Sequence, residues 1–238
     1  MLHGLTCNAA YWLRVTPLLE GRRSIALDFG GHGLRDHRDS YRYADYERDL
    51  LWLMDQLGLQ HVTVAGHSLG GYVALLASTR SDRISGVLAV DVKSDWTDAD
   101  AELAERSRSA AQRLEPDRAA LVERLQRSVR PAVLAAEELE LVAARSIEQV
   151  GHEWRFRWDR RVLATEPVDP YAFLSDVRCD TRIMSGSESD VMPPDSATRF
   201  AAAIPGAVLE VVNGVGHHVE LEAAERVARR IRELSEGS

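Results

Sequence analysis

The sequence predicts an α/β protein whose mostly parallel sheet is flanked by helices and interrupted by an inserted helical block. Three observations predict it. Short apolar, β-branched runs at 24–29, 61–64, 84–90, 181–185 and 207–212 alternate with helical stretches, the pattern of parallel strands buried on both faces. Residues 61–77 pass from strand composition through Gly66-His67-Ser68-Leu69-Gly70 straight into helix composition. From about residue 93 to 167 the rhythm stops: no strand run is evident, and Ala, Leu, Glu and Arg dominate.

The chain has 238 residues, 45% of them hydrophobic, enough for one good core with an insertion. Lys and Arg total 29 against 37 Asp and Glu, a formal charge of −8. No basic block stands apart from the acids, which argues against nucleic acid as a partner. Cys7 and Cys179 have neither disulfide nor metal spacing, so no metal is expected and a reducing compartment is. With no signal-peptide pattern and no apolar run near 18 residues, no membrane partner is expected and a cytoplasmic, monomeric or homodimeric protein is.

In chain order, residues 1–8 are at most the tail of a strand and a polar loop. Residues 9–19 read as a short helix with Trp12, Val15 and Leu19 on one face. Residues 24–29 form the first complete strand, ended by Gly30-Gly31-His32-Gly33. Residues 43–59 are an amphipathic helix through Tyr46, Leu50, Leu53 and Leu57. Strand 61–64 and helix 71–77 flank the serine turn, and strand 84–90 closes on Asp91. Residues 100–113, 116–127 and 131–144 read as three helices, Pro116 and Pro131 suiting helix starts. Twelve arginines face eleven acids over 101–161, a solvated, salt-bridged surface. Trp154, Phe156 and Trp158 alternate at period two and share a face, which either packs the insertion onto the core or walls a substrate pocket. The strand 181–185, a helix at 194–203, the strand 207–212 and a last amphipathic helix through Val227, Ile231 and Leu234 complete the chain. The expected divisions are 1–92, first part of the core; 93–167, a helical cap; and 168–238, second part of the core.

Chemistry centres on Ser68. A sharp strand-to-helix turn strains the backbone there, and Gly66 and Gly70 let neighbouring backbone approach. The turn lifts the Ser68 hydroxyl clear and aims the Leu69 N–H at the same space: the G-x-S-x-G nucleophile elbow in its required context. A serine needs a base, and the base a group that fixes its tautomer. Both follow at strand-end loops: Asp190 after 181–185, and His217 after 207–212. In a parallel sheet these ends share one edge. Asp91 and Asp95 follow strand 84–90, and Asp91 is the substitute for Asp190.

The chain resembles the capped, esterase-like serine hydrolases of the α/β-hydrolase fold. The matching pieces are His3-Gly4-Leu5, Asp28-Phe29-Gly30-Gly31-His32-Gly33, Gly66-His67-Ser68-Leu69-Gly70-Gly71, Gly186-Ser187-Glu188-Ser189-Asp190 and Gly214-Val215-Gly216-His217, in order over nearly the whole chain. The resemblance implies Ser68 as nucleophile, His217 as base and Asp190 as orienting acid, with the backbone N–H groups of Leu5 and Leu69 as oxyanion hole. His217 is preferred to His218 because it completes Gly-x-Gly-His; His218 would point towards the pocket, where Trp154 and Trp158 are the other substrate-binding candidates. His67, His32 and His3 are expected to pack or to brace loops. Family members carry a β-hairpin and most of another strand before the His-Gly loop, whereas two residues precede it here. The expectation is therefore a sheet without its first strands, or a start downstream of the true one.

A serine nucleophile excludes the aspartate-nucleophile branches of the family. The expected reaction is hydrolysis of a small-to-medium hydrophobic ester or lactone, by acyl transfer to water without a cofactor. The alternatives are a thioesterase, a C–C bond hydrolase of β-diketone type, or, in another class, a ligand-binding receptor with negligible turnover.

Overall fold

The computed structural model describes residues 1–109, 111–130, 133–164 and 168–236. Its centre is a four-stranded, wholly parallel sheet of β1 (Val62–His67), β2 (Ile84–Val90), β5 (Asp180–Gly186) and β6 (Val208–Val212), in the order β1-β2-β5-β6. The alternation of side chains across each strand builds two cores. Val64, Val87, Ala89 and Ile183 point to one face, under α1 (Tyr43–Gln56), α2 (Leu69–Ser78) and α7 (Pro194–Ala202). Ala65, Leu88, Val90 and Met184 point to the other, under α9 (Ala224–Glu236). Both faces are covered, as the near-continuous apolar strands require. Among the described residues no helix is long and apolar enough to cross a membrane.

Two expected elements differ. Residues 24–29 are not a strand: Leu2 bridges Leu27 on one side and Gly66 on the other, and Leu27 N–H donates to the Met1 carbonyl (3.1 Å). A ladder one bridge long does not make a strand, whatever the composition of 24–29. Beside it, between this segment and β1, lies a groove of about 480 Å³ lined by residues such as Leu2, Ile25, Leu53 and Val62. Residues 9–19 form two 3-10 turns, Ala9–Trp12 and Thr16–Leu18, with Asn8 capping the first and Pro17 in the second. Trp12, Val15 and Leu19 are nonetheless all buried, so the expected face survives the change of helix type.

Between β2 and β5 run α3 (Asp98–Arg108), α4 (Arg118–Ser128) and α5 (Ala136–Ser146). Thr97 caps α3, exchanging hydrogen bonds with Asp100, and Asp117, one residue past Pro116, caps α4 by accepting from Ala119 N–H (2.9 Å). The expected boundaries at Pro131 and Pro167, and Ala110 within the expected first helix, lie outside the described residues. The expectation of an all-helical block is corrected by an antiparallel hairpin, β3 (Ile147–Val150) and β4 (Glu153–Phe156), turning at Gly151 with φ 63°. The Trp154–Trp158 alternation was its signal. A third core, of Leu121, Leu125, Leu139, Val142 and Ile147, holds the insertion together and takes in Cys7, Tyr11 and Leu221 from the main domain. The short helices α6 (Tyr171–Leu174) and α8 (Val219–Glu222) flank β5 and α9 in sequence.

Candidate active site

Ser68 stands between β1 and α2 with φ 50° and ψ −116°, a conformation that costs a non-glycine residue of order 1–3 kcal/mol and persists only where its surroundings enforce it. They do so by backbone. Ser68 N–H donates to Val90 O (2.8 Å), and the Ser68 carbonyl accepts from Gly71 N–H (3.0 Å). A Cβ on Gly70 would meet the Leu2 carbonyl oxygen at 2.5 Å, and one on Gly71 would meet Val92 at the same distance. A Cβ on Gly66 would run into the Gly70 carbonyl. Each glycine of the motif is thus fixed by a close approach.

The His3-Gly4-Leu5 loop lies against this turn, a Cβ built on Gly4 falling 3.3 Å from Ser68 Cβ. His3 is fully buried, and its Nε2 accepts from Phe29 N–H (3.0 Å). That bond leaves the proton on Nδ1, which donates to the Gly4 carbonyl (2.7 Å). Burial pulls the His3 pKa down to about 4, so the ring is neutral and can play both roles. Holding the Gly4 carbonyl fixes the plane of the Gly4–Leu5 peptide, and with it the direction of Leu5 N–H. Among the described residues neither Leu5 nor Leu69 N–H donates to a protein acceptor. Leu5, Ser68 and Leu69 line one cavity of about 140 Å³ together with Tyr43, Tyr72, Trp96 and Leu103.

The expectation that Asp190 orients His217 is corrected. Asp190 is exposed, whereas His217 Nδ1 lies 2.7 Å from Oδ1 of Asp91, a fully buried carboxylate. The sheet order explains this. Asp91 follows β2, which lies beside β1, and β1 ends at the Ser68 turn; in register His67 pairs with Val90. Asp91 has φ 48°, and its other bonds come from β5 and the loop beyond it: Gly186 N–H to Oδ2 (2.9 Å) and Ser189 Oγ–H to Oδ1 (2.6 Å). The loop expected to provide the acid instead provides a hydroxyl that holds it. The His217 loop packs against the end of β5, where a Cβ on Gly186 would strike the Val215 and Gly216 carbonyls.

Trp154 and Trp158 do not line the Ser68 cavity, which corrects the pocket-wall expectation and leaves the packing one. Trp154 pairs by backbone with Glu115 and packs on the insertion's core; Trp158 stacks on Phe156 (5.9 Å) and packs on the main core. His218 is also absent from that cavity; its Nδ1 sits 3.0 Å from Glu220 Oε1. Burial lowers its pKa, but Glu220, by charge and hydrogen bond, outweighs this and raises it. His67 packs inside the elbow as expected, its pKa pushed well down by burial first and then by His217 and His218. His32 is likewise buried with a lowered pKa. Lining residues that sequence reasoning missed are Tyr43, Tyr72, Val92, Lys93, Trp96, Asp100, Leu103 and Leu163. The usable signal was position, since 92–103 directly follow Asp91. Among the described residues, one group of metal-ligating side chains is close-set: Cys7, His67 and His218, all buried.

This chain belongs to the alpha/beta hydrolase family, whose model matches residues 1–230. A serine hydrolase-like protein of Danio rerio is 32% identical over 95 residues, covering 38% of this chain and 29% of that protein. The putative carbamate hydrolase RutD of Caulobacter sp. (strain K31) is 27% identical over 233 residues, covering 93% of this chain and 84% of that one. The crystal structure of E-2-(acetamidomethylene)succinate hydrolase superposes with a TM-score of 0.85 at 22% identity, covering 99% of this chain and 90% of that one. The chain therefore spans under a third of the length of the zebrafish relative but most of the length of RutD.

Proposed function

We propose that the chain is a serine hydrolase of small, largely apolar carboxylic esters or lactones. The observation that carries this reading is the 2.7 Å bond from His217 to the buried Asp91 at the strand end beside the strained Ser68. In this reading His217 Nε2 takes the Ser68 proton as Oγ attacks the substrate carbonyl, then delivers it to the leaving alkoxide. Asp91 holds Nδ1–H and stabilises the imidazolium without itself being protonated. Leu5 and Leu69 N–H stabilise the oxyanion, and His217-activated water releases the acid from the acyl-enzyme.

The insertion acts as a cap, since Leu103 of α3 and Leu163 wall the cavity. A space of about 140 Å³ is close to the ~150 Å³ engineered cavity that admits benzene, which supports a short acyl chain or a single ring. Trp96 Nε1 is buried without an acceptor among the described residues and offers the substrate one donor.

The test is fluorophosphonate labelling read by intact mass, followed by turnover of p-nitrophenyl esters of increasing acyl length. The expected result is one adduct on the wild type and none on Ser68→Ala, with kcat/KM highest for the shortest acyl groups. A folded wild type that takes no adduct would overturn the reading; a preference for long chains would overturn the substrate class alone.

A further inference from the structure

We propose that Arg130 is a positioning residue for His217: it ties the insertion to the loop that carries this histidine, so that seating the insertion over the Ser68 cavity also sets the imidazole. The inference rests on the hydrolase reading and goes beyond it, because Arg130 is not among the residues that line the cavity and acts through the backbone of another loop.

Arg130 lies just past α4 and directly follows Val129, which is buried in the insertion's own core. From there its side chain reaches the loop after β5, the loop after β6 and α8. One guanidinium nitrogen donates to the Gly214 carbonyl (2.9 Å) and to Glu222 Oε2 (3.2 Å), and the other pairs with Glu188. Glu222, its side chain largely buried, accepts Gly216 N–H on both oxygens, at 3.2 and 3.1 Å. The arginine stem crosses the same glycine, where a Cβ would fall 2.8 Å from Arg130 Cδ. The loop is thus held by its carbonyl at 214 and, through Glu222, by its N–H at 216, and the next residue is His217. A planar fork with donors on separate nitrogens can span a carbonyl and two carboxylates at once, whereas a lysine is a single point charge.

The other end of the fork points the same way. Glu188 precedes Ser189, whose hydroxyl donates to Asp91 Oδ1, the oxygen that also lies against His217 Nδ1. The two loops that Arg130 joins on the outside are therefore the two whose side chains meet at Asp91 on the inside. They also bond to each other directly, Glu188 N–H to the Val215 carbonyl and Gly214 N–H to Ser187 Oγ, each at 2.9 Å. They form one unit, and what Arg130 adds is the link from that unit to the insertion.

Seating the insertion does not itself need Arg130. Along α5, Ser146 Oγ accepts from Asn8 Nδ2 (2.8 Å), Glu138 Oε1 accepts from Arg14 Nε (2.7 Å), and Arg145 donates to Asp28 Oδ2 (3.2 Å). Loss of the Arg130 fork should therefore loosen the His217 loop and leave the insertion in place. Leu103 and Leu163 wall the cavity, so a substrate that fills it bears on the same body that holds the His217 loop. The Arg130 side chain is 44% exposed, which leaves its ion pairs open to screening by salt.

The experiment compares wild type, Arg130→Met, Arg130→Lys and Arg127→Met, the last changing an exposed arginine of α4 that pairs with Glu123. Thermal melts establish that each is folded, and kcat and KM are then measured on p-nitrophenyl acetate. Arg130→Met should lower kcat by about tenfold at unchanged KM, because a displaced base costs rate and not binding. Arg130→Lys should recover part of the loss, and Arg127→Met should match wild type. Salt at about 1 M should lower the wild-type kcat towards that of Arg130→Met and leave the variant nearly unaffected. The salt arm uses wild type, so the test survives a variant that fails to fold. A kcat equal in wild type and folded Arg130→Met, a loss confined to KM or to melting temperature, or a wild-type kcat indifferent to salt would overturn the role of Arg130. Fluorophosphonate labelling keeps the two readings apart: an adduct on wild type beside any of those results sinks this role alone, whereas no adduct on folded wild type sinks the hydrolase reading and this role with it.

Discussion

The strand-end loops and the inserted helices draw on the same charged residue types and use them in opposite ways. At the sheet edge, Asp91 and Glu220 are fully buried, and Asp91 accepts bonds from His217, Ser189 and Gly186. In the insertion, Arg127–Glu123 and Arg106–Glu102 pair across helix turns with all four side chains more than 60% exposed. Water screens the second kind of charge and leaves the first to act at nearly full strength. Chemistry therefore concentrates where strands end, and the insertion contributes shape.

The largest effect should come from the contrast between two aspartates. Asp91→Asn should lower kcat by about 10⁴-fold, as loss of the orienting acid does where the base loses its correct tautomer. Asp190→Asn, on an exposed side chain, should stay within about twofold of wild type under the same ester assay. Equal losses in both variants would break the assignment of Asp91.

Buried histidines should separate the two regions by pH. The folded-state pKa of His3 lies at about 4, below its unfolded value of 6.5. The unfolded chain therefore takes up the proton first as pH falls, and stability is lost between pH 6.5 and 4. His3 alone should account for about 3 kcal/mol over that window. His67 and His32 are also lowered and act in the same direction. His218 is raised and opposes them: its contribution is complete below 6.5 and is lost as pH rises through its folded value. Urea unfolding at pH 6.5 and at pH 4 should show a smaller difference for His3→Asn than for wild type.

A moderate effect is expected where the insertion meets the cavity. Leu103→Ala enlarges the wall facing Ser68, and should shift the kcat/KM ratio of longer to shorter acyl esters upward by about tenfold, the scale of one or two methylenes in an apolar pocket. The smallest belongs to the solvated face: Arg127→Ala should change unfolding free energy by no more than about 0.5 kcal/mol, read by thermal or urea melts.

The strained turn at Ser68 was legible because it is local. Glycines at 66 and 70 about Ser68, a strand before and a helix after are all contained in seventeen residues, and steric exclusion around them fixes φ at 50°. His217 was legible for the same reason, at a Gly-x-Gly-His loop after a strand. The 24–29 segment misled because strand composition does not provide a hydrogen-bonding neighbour, and here that neighbour is a single residue, Leu2. Trp154 and Trp158 misled because a period-two aromatic strip records a common face without saying what lies opposite it.

By itself, then, the sequence determined the class of fold, the strained serine and the histidine, because local backbone geometry and apolar periodicity dictate them. Only the tertiary structure decided that Asp91 rather than Asp190 holds His217, that Leu103 and Trp96 line the cavity, and that Cys7, His67 and His218 converge. Those choices depend on which strands are neighbours and how deeply each loop is buried. Both are properties of the packed sheet, in which Asp91 and His217, 126 positions apart along the chain, come within 2.7 Å.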